Sequence, residues 1–166
     1  MEIHLTGSDA LLERLAATLR LRGLRLVAAE SCTGGLIAAV CTSLAGSSDW
    51  FERGFVTYSN EAKTELLGVD VGLIARHGAV SAEVAAAMAD GALASSHADV
   101  AVAVTGIAGP GGGTAAKPVG TVWLAIASAG RPARSTLLQA SGDRAAIRAA
   151  SVARALALLV EHCEGD

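Results

Sequence analysis

The stretch A-A-E-S-C-T-G-G, residues 28–35, separates two different hydrophobic patterns. The apolar run that leads into it, 24–29, predicts a buried strand, and the run that begins at Leu36 has helical spacing. Ser31 is therefore predicted at a strand-to-helix turn, where unpaired N–H groups and the helix dipole favour an anion. Such a turn is also typical of an ordinary helix cap, so its meaning depends on what the chain brings to Ser31.

Helices and strands alternate along the rest of the chain. Helices are predicted from a Ser8 or Asp9 cap to Gly23, over 36–44, from an Asn60 cap to Leu67, over 81–96, and after an Asp143 cap. Further strands are predicted over 54–58, 99–104, 119–128 and 133–140, the last two as a hairpin. This order predicts an α/β fold, a three-layer α/β/α sandwich with a largely parallel central sheet and an antiparallel edge hairpin. We expect residues 1–166 to form one domain.

Composition restricts the classes of function. The net charge is −3 without a basic block, so no nucleic-acid partner is expected. The chain lacks both a run of about 18 apolar residues and a basic N-terminal flank, which predicts a cytoplasmic protein without a membrane partner. Its three cysteines and four histidines have no ligand spacing, so no metal is expected. An alanine-rich seam on the 81–96 helix makes a homo-oligomer a reasonable expectation.

Three polar or glycine-rich segments follow predicted strands, at 30–35, 58–63 and 105–113. Ligands bind at the carboxyl ends of strands in open α/β sheets, so these segments are expected to converge. A serine nucleophile needs a base, and Lys63 could serve Ser31. The helix dipole supplies only about 0.3 to 1 kcal/mol of the roughly 3 to 5 kcal/mol that a lysine pKa near 7 or 8 requires. Burial or a neighbouring cation such as Arg53 would have to supply the rest.

Other interpretations of these residues stay open. Lys63 could be a solvated helix residue, and Tyr58 an aromatic at a strand end. A dehydrogenase is disfavoured, because four residues separate Tyr58 from Lys63 and no dinucleotide fingerprint opens the chain. The glycine loop at 105–113 lacks the order of a phosphate loop but could still cradle an anion. Arg144 and Arg148 share a helix face and could hold a phosphate.

Four ordered motifs together resemble the CinA C-terminal domain family. They are A-E-S-C-T-G-G at 29–35, G-F-V-T-Y-S-N-E-A-K at 54–63, H-G-A-V-S at 77–81 and T-G-I-A-G-P-G-G-G at 105–113. The similarity spans nearly the whole chain. Longer members carry an additional N-terminal domain, so this chain looks like the stand-alone form.

The resemblance implies a nicotinamide-nucleotide amidohydrolase, which converts nicotinamide mononucleotide to nicotinate mononucleotide and ammonia in pyridine-nucleotide recycling. It implies Ser31 as the nucleophile, Lys63 as the general base and Tyr58 as an aid to proton transfer, without cofactor or metal. Backbone amides around 32–34 would stabilise the oxyanion. The candidate substrate-binding residues are Cys32, Thr33, Gly34, Gly35, Asn60, Thr105, Gly106, Gly109 and Arg144. The alternatives are a non-catalytic nucleotide-binding module of the same fold and an enzyme for a different amide or lactam.

Overall fold

The computed structural model describes residues 8–165. Its helices are α1 (Asp9–Arg22), α2 (Leu36–Ser43), α3 (Asn60–Leu67), α4 (Val71–His77), α5 (Ala82–Ala94) and α6 (Arg144–Glu164), with a 3-10 turn at Ser47–Asp49. Its strands are β1 (Leu26–Glu30), β2 (Phe51–Val56), β3 (Val100–Gly106), β4 (Thr121–Ser128) and β5 (Arg131–Gln139). None of these helices combines the length and apolar character that crossing a membrane requires.

The strands form one sheet in the order β2-β1-β3-β4-β5. The first three run parallel, whereas β4 is antiparallel to β3 and pairs with β5 as a hairpin. Helices α1, α2 and α6 cover one face, and α3, α4 and α5 cover the other. The predicted α/β/α sandwich with an antiparallel edge hairpin is confirmed.

Residue size alternates along the central strand β3. Val100, Val102 and Val104 point into the core beneath α1 and α6, whereas the alanines between them face α5. Small side chains let α5 pack closely on the sheet. Helix α5 also packs closely against the end of α3, because an added Cβ at Gly91 would lie 1.9 Å from the Leu67 carbonyl oxygen.

Several predicted boundaries need correction. The N-cap of α3 is Ser59, whose hydroxyl accepts from the Ala62 N–H, and the predicted cap Asn60 is the first helical residue. Ser8 is the N-cap of α1 but makes no side-chain cap bond. Strand β2 begins three residues earlier than predicted and ends at Val56, so Tyr58 lies in the loop beyond it. Helix α4 was not predicted, whereas the Asp143 cap is confirmed by its bond to the Ala146 N–H.

The register of the parallel strands aligns their carboxyl ends at one edge of the sheet. Glu30 pairs with Val56 on one side and with Val104 on the other. The residues that follow these three therefore lie side by side at this edge, the third of them still within β3 and paired with β4. They are Ser31, Thr57 and Thr105.

Candidate active site

Ser31 and Lys63 meet at this edge of the sheet. The Lys63 Nζ lies 3.1 Å from the Ser31 Oγ. Lys63 is 1% exposed and Ser31 8% exposed. The first turn of α3, started by Ser59, carries the amine over the end of β1. The predicted convergence of the 30–35 and 58–63 segments is thus present.

Two backbone carbonyls also face the Lys63 amine. Nζ lies 2.9 Å from the Thr57 oxygen and 3.5 Å from the Ser59 oxygen. A neutral amine has two N–H donors and one lone pair. With both donors directed at the carbonyls, the lone pair is left to accept the Ser31 hydroxyl proton.

Burial lowers the pKa of Lys63 below its ordinary 10.5, and the nearby Cys32 sulfur opposes this shift. Of the two alternatives expected, burial lowers the pKa of Lys63 and Arg53 does not. The Arg53 guanidinium pairs with Glu52 at 2.7 Å and donates to the Ser95 carbonyl. The neutral base form of Lys63 is favoured by desolvation.

The start of α2 is occupied by a carboxylate of the chain itself. Glu30 is fully buried and accepts from the N–H groups of Gly35, Ile37 and Ala38 at 2.9 to 3.1 Å. The prediction that these first helical amides receive an external anion is therefore wrong. Glu30 joins strand β1 to helix α2, which is a structural role.

The amides nearest Ser31 are arranged differently. The Gly34 N–H donates to the Ser31 carbonyl and closes the turn. Within the described residues, the N–H groups of Cys32 and Thr33 donate to no neighbouring residue. Of the predicted oxyanion donors, these two are free. Burial raises the pKa of the Cys32 thiol to about 11, so this side chain stays protonated beside the serine.

Arg148 holds the opposite side of the same turn. Its Nε donates to the Cys32 carbonyl at 3.2 Å, and its Nη2 donates to the Thr33 carbonyl at 3.0 Å. The sequence paired Arg148 with Arg144 as phosphate ligands. In the structure the two arginines contact different segments.

Arg144 links two loops at the mouth of the site. Its Nη1 donates to the Gly109 carbonyl at 2.8 Å, and its Nη2 donates to the Tyr58 hydroxyl at 2.9 Å. The Tyr58 side chain is 59% exposed. Within the described residues its hydroxyl bonds neither Ser31 nor Lys63, so the structure places Tyr58 at the mouth rather than beside the amine.

The remaining candidate residues contact neighbouring elements or line a groove. The Thr105 hydroxyl donates to the Ala79 carbonyl at 2.9 Å and ties β3 to the loop before α5. An added Cβ would lie 2.8 Å from Val122 at Gly106 and 2.6 Å from Val119 at Gly109. Asn60 lines a groove of about 470 Å³ between α3 and α4.

No three His, Cys, Asp or Glu side chains in residues 8–165 are grouped to hold a metal ion. His77, the histidine of the H-G-A-V-S motif, lies 3.5 Å from Glu83, and its carbonyl accepts from the Lys117 Nζ. His4 lies outside the described residues.

Neither the role of Glu30 nor the contact of Arg148 was predicted from the sequence. A carboxylate at the last position of a strand, directly before a turn, was the available signal for Glu30. The Arg148 contact joins residues more than 110 positions apart, and no local pattern indicates it.

Known proteins are similar to this chain in sequence and fold. Residues 8–163 match the CinA C-terminal domain family. The chain is 52% identical over 147 residues to nicotinamide-nucleotide amidohydrolase PncC of Escherichia coli (strain K12), with 89% of each chain covered. It is 59% identical over 136 residues to a CinA-like protein of Geobacter sp. (strain M21), covering 82% of this chain and 33% of the relative.

Among solved structures, the competence/damage inducible protein CihA from Agrobacterium tumefaciens superposes with a TM-score of 0.93 at 45% identity, covering 96% of this chain and 98% of that one. A CinA superfamily protein from Klebsiella pneumoniae 700603 gives a TM-score of 0.92 at 38% identity, with coverages of 97% and 100%. The chain therefore belongs to the CinA C-terminal domain family.

Proposed function

We propose that the protein is a nicotinamide-nucleotide amidohydrolase that uses Ser31 as nucleophile and Lys63 as base. The observation that carries the mechanism is the 3.1 Å approach of the buried Lys63 amine to the Ser31 hydroxyl. The 52% identical relative from Escherichia coli bears the name of this activity. The substrate is nicotinamide mononucleotide, and the products are nicotinate mononucleotide and ammonia.

The first half of the reaction forms an ester. The Ser31 Oγ bonds to the carboxamide carbon while its proton passes to Lys63. The carboxamide oxygen becomes an oxyanion, which the free N–H groups of Cys32 and Thr33 stabilise. The C–N bond then breaks, and the Lys63 ammonium gives its proton to the departing nitrogen, which leaves as ammonia.

The second half returns the enzyme to its starting state. Water attacks the ester carbon and gives a proton to the neutral Lys63 amine. The ester bond breaks, nicotinate mononucleotide leaves, and Lys63 returns the proton to the Ser31 oxygen. The Thr57 and Ser59 carbonyls keep the amine pointing at the serine through both halves.

Arg144 is proposed to bind the phosphate of the nucleotide. Its two hydrogen-bond partners, the Gly109 carbonyl and the Tyr58 hydroxyl, are uncharged. Neither partner neutralises the guanidinium, and an arginine fork matches the geometry of phosphate oxygens. Tyr58 is proposed to orient this arginine.

Ammonia release from nicotinamide mononucleotide tests the proposal. Ser31→Ala should lower turnover by about 10³-fold or more, because the nucleophile is lost. Ser48→Ala, at an exposed serine of the 3-10 turn, is the matched control and should retain wild-type turnover. Circular dichroism should show both variants folded.

If folded Ser31→Ala kept wild-type turnover, Ser31 would not be the nucleophile. Wild-type protein that binds the mononucleotide without releasing ammonia would instead identify a non-catalytic binding module. Assays with nicotinamide and its riboside show whether the phosphate is required.

A further inference from the structure

Arg148 makes a two-point contact with the turn that carries Ser31. It lies on α6, one turn beyond Arg144, and is half-buried. Its Nε and Nη2 bond the carbonyls of Cys32 and Thr33 at 3.2 and 3.0 Å. A guanidinium presents its donors in a rigid fork, so two bonds to consecutive carbonyls fix the orientation of both peptide groups.

The fixed carbonyls determine where the amides point. A trans peptide is planar, and its C=O and N–H point in opposite directions. The Cys32 carbonyl shares a peptide plane with the Thr33 N–H, so Arg148 directs that N–H away from itself. The same N–H donates to no neighbour within the described residues, which leaves it free for a ligand.

We infer that Arg148 is a positioning residue for the oxyanion hole, acting through the Cys32–Thr33 peptide. This inference rests on the proposed function, because an oxyanion forms only if Ser31 attacks an amide. Arg148 touches no reacting atom. It holds the donor that stabilises the charge developing in the transition state, and a donor fixed in advance loses no energy to reorientation during the reaction.

A direct role in phosphate binding is the competing interpretation. Two of the three Arg148 nitrogens already donate to backbone oxygens, whereas Arg144 bonds the outer loops at the mouth. The two roles separate kinetically. A positioning residue for the transition state acts on kcat, and a residue that grips the substrate phosphate acts on KM.

The test compares Arg148→Met and Arg148→Lys with a control on the same helix, Arg154→Met. Arg154 pairs with Glu161 at 3.2 Å, away from the serine turn. Loss of an oxyanion donor lowers kcat by about 10² to 10³, and a misaligned donor should cost about 10-fold to 100-fold. We expect that loss in Arg148→Met with little change in KM, a smaller loss in Arg148→Lys, and none in Arg154→Met.

A second measurement is independent of activity. The Gly34 N–H shares a peptide plane with the Thr33 carbonyl and donates to the Ser31 carbonyl. Its hydrogen exchange, followed by NMR without substrate, should be faster in Arg148→Met than in wild type and unchanged in Arg154→Met. A raised KM with wild-type kcat would overturn the inference, and so would exchange rates unaltered by the loss of Arg148. Wild-type protein that releases no ammonia would refute the proposed function, while the exchange rates would still decide whether Arg148 holds the turn.

Discussion

At the scale of single residues, the buried Lys63 amine couples folding to pH. Burial lowers its pKa in the native protein, and the unfolded chain keeps the ordinary value of 10.5. Between these two values the unfolded chain holds a proton that the native protein has released. The native state therefore gains stability as the pH rises through this window, and below the lowered pKa it bears the full cost of a buried ammonium.

Lys63→Met removes this titration. We expect the free energy of unfolding of the wild type to rise relative to Lys63→Met as the pH increases toward the ordinary lysine pKa of 10.5. Urea unfolding of both proteins at a series of pH values measures the difference. Parallel pH profiles would mean that the amine titrates alike in both states and would contradict its buried, partly desolvated position.

Two buried threonines at the carboxyl ends of β2 and β3 differ in one hydrogen bond. The Thr57 hydroxyl has no partner within the described residues, whereas the Thr105 hydroxyl donates to the Ala79 carbonyl. We expect Thr57→Val to leave the free energy of unfolding unchanged or raise it by about 1 kcal/mol. Thr105→Val should lower it by about 1 to 2 kcal/mol, because only this change leaves the Ala79 carbonyl without its donor. Urea unfolding measures both variants. Equal losses would show that the Thr57 hydroxyl is satisfied in solution.

At the scale of elements, Glu30 is the joint between β1 and α2. Its carboxylate accepts from three amides at the start of the helix. Glu30→Gln keeps the shape but replaces one acceptor oxygen with an NH₂ group that faces N–H donors. We expect a loss of about 2 to 4 kcal/mol in urea unfolding, since hydrogen bonds to charged groups contribute about 1.5 to 3 kcal/mol each.

Glu65→Gln, at an exposed position on α3, is the control for this change and should alter stability by less than about 0.5 kcal/mol. If Glu30→Gln were as stable as the control, the carboxylate would not be the group that secures the start of α2.

Sequence patterns predicted the elements better than their ends. The alternation of strands and helices was enough for the fold, because periodicity reports which faces are buried. A predicted helix boundary was wrong where two adjacent residues are equally suitable N-caps. Ser59 and Asn60 are both good caps, and only the extended backbone of Ser59 (φ −85°, ψ 164°) decides between them. Helix α4, with seven residues, was too short to show a period.

At the scale of the whole molecule, the sheet order explains why the site was partly predictable. Parallel strands β1, β2 and β3 are neighbours, so the polar segments after them had to meet at one edge. Ser31 and Lys63 followed from that rule. The contacts of Arg144 and Arg148 depend on how α6 packs against the sheet face that α1 and α2 also cover. No sequence pattern near either arginine predicts this packing.

The charge distribution of the molecule leads to a prediction about salt. The chain carries a net charge of −3, yet Arg144 and Arg148 donate to uncharged oxygens at the mouth and the serine turn. Ser31→Ala should bind nicotinamide mononucleotide without hydrolysing it. Its affinity for the mononucleotide should fall several-fold between 0.01 M and 0.15 M salt, because the screening length shortens from about 30 Å to about 8 Å. Calorimetric titration measures this affinity. The riboside lacks the phosphate and should respond little to salt, and Arg144→Met in the same background should lose most of the effect. An equal response of mononucleotide and riboside would contradict phosphate recognition by Arg144.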